Sequence, residues 1–179
     1  DYLDLEFEAA KNYKPEKADW FAGSWSGLER PDDDTRLGSQ TGVSVAELKD
    51  LGNLLTSVPE GFNIHKTLQR TLDAKARMFE VGKNFDWATA EALAFGTLIR
   101  EGHRVRLSGQ DSKRGTFSNR HSVFIDQETE EPYVPLAHAG DGPNSHATFE
   151  VIDSALSEEA VLGFEYGYAA TEPNDLVIW

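Results

Sequence analysis

"ATFEVIDSALSEEAVLGFEYGYAATEPNDLVIW", Ala147 to Trp179, places two short apolar runs on either side of a longer run of helix formers. "ATFEVIDS" reads as a strand, "SEEAVLGFEYGYAAT" as a helix and "LVIW" as another strand. A strand, a helix and a strand at this spacing predict a parallel crossover, which makes the chain an α/β protein. The closing Leu-Val-Ile-Trp has no turn and no polar exit after it, so it reads as a buried strand.

The pattern extends towards the N-terminus. "HRVRLSG", His103 to Gly109, is a further short strand whose Val105 and Leu107 face one side. Before it, "FDWATAEALAFGTLIREG" is a helix with Asp86 as N-cap and Gly102 just past its end. "NIHKTLQRTLDAKARMFEVG" is a second amphipathic helix, with Ile64, Leu68, Leu72, Met78 and Phe79 on its apolar side and Gly82 as its stop. An earlier helix opens with the capping box of Ser44 and Glu47 and carries Val45, Leu48, Leu51, Leu54 and Leu55 as far as Pro59. The roughly 40 residues before it are rich in turn formers and read as an extended arm or linker. Trp20, Phe21 and Trp25 lie there among glycine and serine, either to pack on another part of the protein or as an internal core anchor. The fold expected is therefore α/β, a partial parallel sheet with flanking helices, preceded by an extended arm and helices.

Bulk properties exclude several classes. The 179 residues suffice for one ordinary domain, or a small domain plus an arm. A formal charge of −14 repels phosphate backbones and anionic lipid heads, so neither nucleic acid nor membrane is an expected partner. With no cysteine, there is no disulfide framework, thiolate metal site or cysteine nucleophile, which fits a reducing compartment. No apolar run approaches the roughly 20 residues of a membrane span, and the start lacks the pattern of a signal peptide. The chain reads as soluble.

The candidate functional residues lie past strand ends. "QDSKRGTFSNRHSVFIDQETEEPYVPL" follows the strand ending at Gly109 and is polar and non-periodic until Val123, in the place where open α/β sheets keep their ligands. Within it His121, beside Arg120 and near Arg114, suits an anionic small molecule, or is a loop histidine held by local hydrogen bonds. The other histidines, at 65, 103, 138 and 146, have no pair at helical metal spacing, and no metal site is expected. "GDGPN" at 140–144, with Asn174, superficially resembles the magnesium and diphosphate motif of thiamine diphosphate enzymes. Pro143, Asn144 and Ser145 instead mark a surface turn, and no metal role is assigned there. Glu158 and Glu159 open the last helix behind Ser157, where carboxylates meet free amides and the helix dipole; by chemistry alone both are ordinary helix-start residues. The facing of Glu165 is ambiguous between Phe164 and Tyr166.

"DWATAEALAFGTL", "VRLSGQDSKRGTFSNRHSVFIDQ" and "LSEEAVLGFEYGYAATEP" together resemble the thiamine-dependent decarboxylating subunit of the 2-oxoglutarate dehydrogenase complex. "AAKNYKPEKADWFAGSWSGL" and "VPEGFNIHKTLQR" extend the resemblance over nearly the whole chain. It implies an interdomain arm and linker helices over 1–82 and the N-terminal part of a pyrimidine-binding domain over 83–179, with Trp179 a cut end inside that domain. It further implies thiamine diphosphate as cofactor, with magnesium held by a diphosphate-binding half upstream of Asp1. Glu158 matches the family's catalytic glutamate, which shares a proton with the pyrimidine ring and thereby activates the thiazolium carbon; burial against a neutral ring would raise its pKa. Gln110 and His121 match the loop lining the cofactor or the substrate, Gln110 on the cofactor side and His121 on the substrate side. The implied substrate is 2-oxoglutarate, the implied partner a lipoyl-bearing succinyltransferase subunit, and the implied assembly a homodimer whose active sites need both halves. The implied location is the bacterial cytoplasm or the mitochondrial matrix. On this resemblance the chain alone is inactive. The rival expectation is a non-catalytic acidic interaction module that docks through the Trp20 to Trp25 cluster and uses Glu158 only as a helix cap.

Overall fold

The computed structural model describes residues 1–14, 16, 23–29, 40–140 and 147–179. The chain divides into two units, 1–39 and 40–179.

In the first unit, α1 (Tyr2–Ala10) occupies part of the stretch expected to be extended. The reason is local: "YLDLEFEAA" contains no glycine, proline or β-branched residue, and Asp4 sits in the first turn where the dipole favours it. Its apolar side chains Tyr2, Leu3, Leu5 and Phe7 are all exposed. A 3₁₀ turn covers Gly23–Trp25. Trp20 and Phe21 lie outside the described residues, so of the aromatic cluster only Trp25 is placed.

The second unit begins with three helices whose ends follow the sequence signals. In α2 (Val45–Thr56), Ser44 Oγ accepts from Glu47 N at 3.2 Å. α3 (Lys66–Val81) starts behind His65, whose Nδ1 accepts from Thr67 N, and stops at Gly82, whose φ of 69° is left-handed and whose N–H donates to Met78 O. α4 (Trp87–Arg100) is capped by Asp86, which accepts from Thr89 N at 2.7 Å. α2 and α3 approach closely at Gly52, where a Cβ would lie 2.5 Å from the Phe79 ring.

β1 (Val105–Gly109) follows, buried on both faces along its whole length. The next strands, β2 (Phe124–Ile125) and β3 (Pro132–Tyr133), form a small antiparallel hairpin just after the stretch read as non-periodic, where no strand was expected. Two residues are too short to show a period of two. β4 (Phe149–Asp153), α5 (Glu158–Thr171) and β5 (Leu176–Ile178) complete the crossover. The main sheet has the order β4-β1-β5 and is parallel throughout, with Leu107 opposite Val151 on one side and Ile178 on the other. The α/β architecture is thus the one expected. β5 differs in burial: it is an edge strand in this sheet, with Leu176 exposed and Val177 and Ile178 only half-buried.

The core lies between β1, β4 and the helices α2 and α4, built from Leu51, Phe95, Ile99, Val105, Leu107, Leu136 and Phe149. Phe95 and Phe149 stack with ring centres 5.8 Å apart. Burial of such side chains, at about 1.5–3 kcal/mol each, fixes β1 as the rigid centre from which the loops after its carboxyl end project.

Candidate active site

β1 and β4 are parallel, so their carboxyl ends open on the same side, and the loops that follow them form the walls of a cleft. Gly109 ends β1 with φ of 150° and accepts from Ser154 N at 3.0 Å, while Asp153 at the end of β4 accepts from Lys113 N at 2.9 Å. These two bonds tie the loop after β1 to the turn before α5. The cleft has a volume of about 300 Å³, and its walls include Leu107, Gln110, Leu156, Glu158, Ile178 and Trp179.

Glu158 is the first residue of α5 and projects into this cleft. Glu159, equally exposed, does not line it. Ser157, at the N-cap position, makes no side-chain cap bond, leaving the first amides of the helix to a carboxylate or a ligand. Gln110 lines the same cleft, so the structure brings two of the three sequence-predicted residues together. A carboxylate and an amide over apolar walls can hold a flat polar heterocycle by its edge and its face.

His121 is elsewhere. It borders a small cavity of about 30 Å³ with Lys75, Glu91, Phe95 and Phe124. Burial pushes the imidazole below its ordinary pKa, Lys75 and Arg114 add to that, and the Ser118 backbone opposes it. The Lys75 ammonium is likewise lowered by burial, against the pull of Asp86 and Glu91. Arg120 stands between the two spaces and lines both. Its Nε and Nη2 bind the Glu91 carboxylate at 2.7 and 3.3 Å, and its Nη1 donates to Ser112 O. Arg114 is paired with Asp111 at 3.4 Å. The two guanidiniums that suggested an anion site around His121 are thus held by carboxylates of the chain itself. The loop that carries them is strained: Asp111, Ser118 and His121 all have φ between 49° and 56°.

Glu165, ambiguous in the sequence, points inward and is buried. Its two oxygens take the Nε and Nη2 of Arg106 on β1 at 2.8 and 3.0 Å. Glu150 on β4 takes Arg106 Nη1 at 2.6 Å, and the guanidinium lies over the rings of Phe164 and Tyr168, 5.3 and 4.8 Å from their centres. Burial would raise the Glu165 carboxyl, but the Arg106 hydrogen bonds bring it below its ordinary value. Sequence reasoning missed this pair because an arginine within a predicted strand and a glutamate within a helix carry no spacing signal across 59 residues.

Of the glycine-rich decoy, Gly140 is described and packs against Ala147 O; Asp141 to His146 lie outside the described residues. Asn174 sits in a turn, its amide N–H on Glu172. Among the described residues, no group of three or more His, Asp or Glu side chains could hold a metal ion, and no helix is long and apolar enough to cross a membrane.

Residues 83–179 match the family described as the pyrimidine binding domain of transketolase. Over 179 residues the chain is 53% identical to the 2-oxoglutarate dehydrogenase E1 component of Brucella ovis and to that of Brucella canis, and 52% identical to that of Brucella anthropi. Each comparison covers 99% of this chain, which spans 17–18% of the length of these curated relatives.

Proposed function

The chain belongs to the transketolase pyrimidine-binding domain family, and from that premise we propose that its cleft is the pyrimidine side of a thiamine diphosphate site in a 2-oxoglutarate dehydrogenase. The observation that supports this most is that Glu158 and Gln110 line one cleft at the carboxyl ends of parallel strands, with Glu159 outside it. In this proposal residues 83–179 form the N-terminal part of the pyrimidine-binding domain and residues 1–82 an interdomain arm with linker helices.

The donor set fits an aminopyrimidine. Leu107, Leu156 and Ile178 offer apolar surface to a ring face, and Glu158 and Gln110 offer polar atoms to a ring edge. It does not supply a diphosphate cradle, because Arg120, the cation in the cleft wall, is already paired with Glu91. Diphosphate and magnesium therefore fall to another part of the full-length protein. When bound, the cofactor supplies a nucleophilic carbon able to attack the keto carbon of 2-oxoglutarate and to hold the electrons released as carbon dioxide leaves. Glu158 holds a proton at the ring edge, and an acid covered by a neutral ring is one whose pKa rises towards that task. Gln110, in the same cleft, orients the ring. The substrate side is assigned to His121 on the family resemblance alone; the cavity it borders, of about 30 Å³, is separate from the cleft of Glu158. In the whole enzyme the succinyl product passes to a lipoyl group on a succinyltransferase partner, and two copies complete the active sites as a homodimer. The relatives reported above are bacterial, which supports the cytoplasm over a mitochondrial matrix.

The test compares Glu158→Gln with Glu159→Gln in the full-length enzyme. Glu158→Gln should retain cofactor binding and lower decarboxylation, followed with an artificial electron acceptor, by a factor on the order of 100 or more. Glu159→Gln should leave turnover per folded molecule unchanged. Equal and small effects of both substitutions would leave Glu158 a helix-start carboxylate and favour an interaction module.

A further inference from the structure

α5 meets the sheet in an uncommon way. The residue it buries is a carboxylate, Glu165, only 5% exposed. Among its apolar side chains Leu162, Phe164 and Tyr166 are exposed and Val161, Tyr168 and Ala169 only half-buried, and a Cβ at Gly163 or Gly167 would meet nothing within 4 Å. Interdigitated apolar side chains are what normally fix the rotation and register of a helix on a sheet. Here ionic contacts share that role. Arg106 is central, buried on the central strand, and holds Glu165 with two hydrogen bonds and Glu150 of the neighbouring strand with a third contact. A planar fork of this kind fixes direction as well as distance.

Glu158 precedes Glu165 by two helical turns, so at 3.6 residues per turn the two side chains leave α5 within about 20° of each other. Whatever sets the rotation of α5 at Glu165 therefore sets it at Glu158. We propose that Arg106 is a positioning residue for the active site: by gripping Glu165 it fixes α5 on β1 and so aims Glu158 into the cleft. This rests on the assignment of Glu158 above, and it adds the residue through which the rest of the fold controls that side chain.

The experiment uses four forms of the full-length enzyme: unaltered, Glu158→Gln, the pair Arg106→Met with Glu165→Leu, and the combination of all three. Removing both charges together leaves no lone buried ion, so the fold should persist, and the thermal midpoint of the cofactor-free protein checks that it does. The paired replacement is expected to lower kcat by about 10- to 100-fold, the size of effect caused by misplacing a reacting group by an ångström. In the cofactor-free protein, the α5 backbone amides should exchange with solvent about tenfold faster, since the helix has lost its anchor. Added to Glu158→Gln, the paired replacement should cause no further loss of kcat, because both changes act through one carboxylate. Arg106→Lys, which keeps the charge but not the fork, should fall between the unaltered and paired forms. Unaltered kcat and exchange in the paired replacement would overturn the proposal, as would losses that multiply with that of Glu158→Gln. Undiminished turnover in Glu158→Gln alone would instead sink the assignment of Glu158, and the α5 amide exchange would still decide whether Arg106 fixes the helix.

Discussion

Asp126 shows how much one side chain can organise. One carboxylate oxygen accepts from Asn63 N at 2.7 Å, and the other accepts from Glu128 N and Thr129 N at 2.8 and 2.9 Å. The Asn63 bond leads these contacts in drawing its pKa down to about 2 from an ordinary 3.8. A depressed carboxyl stabilises the fold above its unfolded pKa and loses that contribution as the pH falls through the folded one. Acid unfolding should therefore include a component between about pH 4 and pH 2. Asp126→Asn has one acceptor oxygen in place of two, so its thermal midpoint at neutral pH should be lower and its fall between those pH values shallower, as read by circular dichroism. Two of these bonds are a local turn, to Glu128 and Thr129, but the one that ties Asp126 to the rest of the fold goes to Asn63, 63 residues back, and has no sequence signal. Glu158 and Glu159 were legible as helix-start residues because they follow Ser157 directly in sequence, but only the family resemblance set Glu158 apart from Glu159. Arg106 and Glu165 were hidden like Asp126, since charge pairing across a fold leaves no local period.

At the level of elements, the helices were readable almost to their ends. Asp86 and Ser44 cap where oxygen acceptors are expected, and Gly82 stops a helix where a left-handed residue is needed. Such signals are local, as are the hydrophobic periods between them. What the sequence did not reveal is how closely the helices approach. Gly52→Ala improves helix propensity by about 1 kcal/mol, but its Cβ would fall 2.5 Å from a Phe79 ring that packs on Phe85. Overpacking of this kind costs about 1–3 kcal/mol, so the substitution should lower the urea midpoint rather than raise it. An unchanged or higher midpoint would mean that the Phe79 ring relaxes freely. The hairpin of β2 and β3 escaped notice because its strands are shorter than one period. α1 escaped because the glycine- and proline-rich stretch that follows it coloured the whole N-terminal segment.

The whole molecule combines a charge of −14 with much exposed apolar surface, including Trp87, Phe117, Leu156, Phe164 and Tyr166. Like charge opposes association and apolar surface drives it. Salt screens the first and leaves the second, so this chain should sediment as larger species when the ionic strength rises from about 0.02 to 0.5 M. A monomer at both salt levels and at high concentration would count against it. The α/β class was legible because β4, α5 and β5 follow one another closely, whereas the central place of β1 depends on pairings that only the folded chain makes. That place has a consequence for synthesis. β1 pairs on both sides with strands that come later, and β5 is translated about 70 residues after it, a wait of roughly 4–14 s at the usual speed of a ribosome. Until β4 emerges, about 40 residues on, Val105 and Leu107 have no strand to join, and the helices α2 and α4, already made, offer them cover.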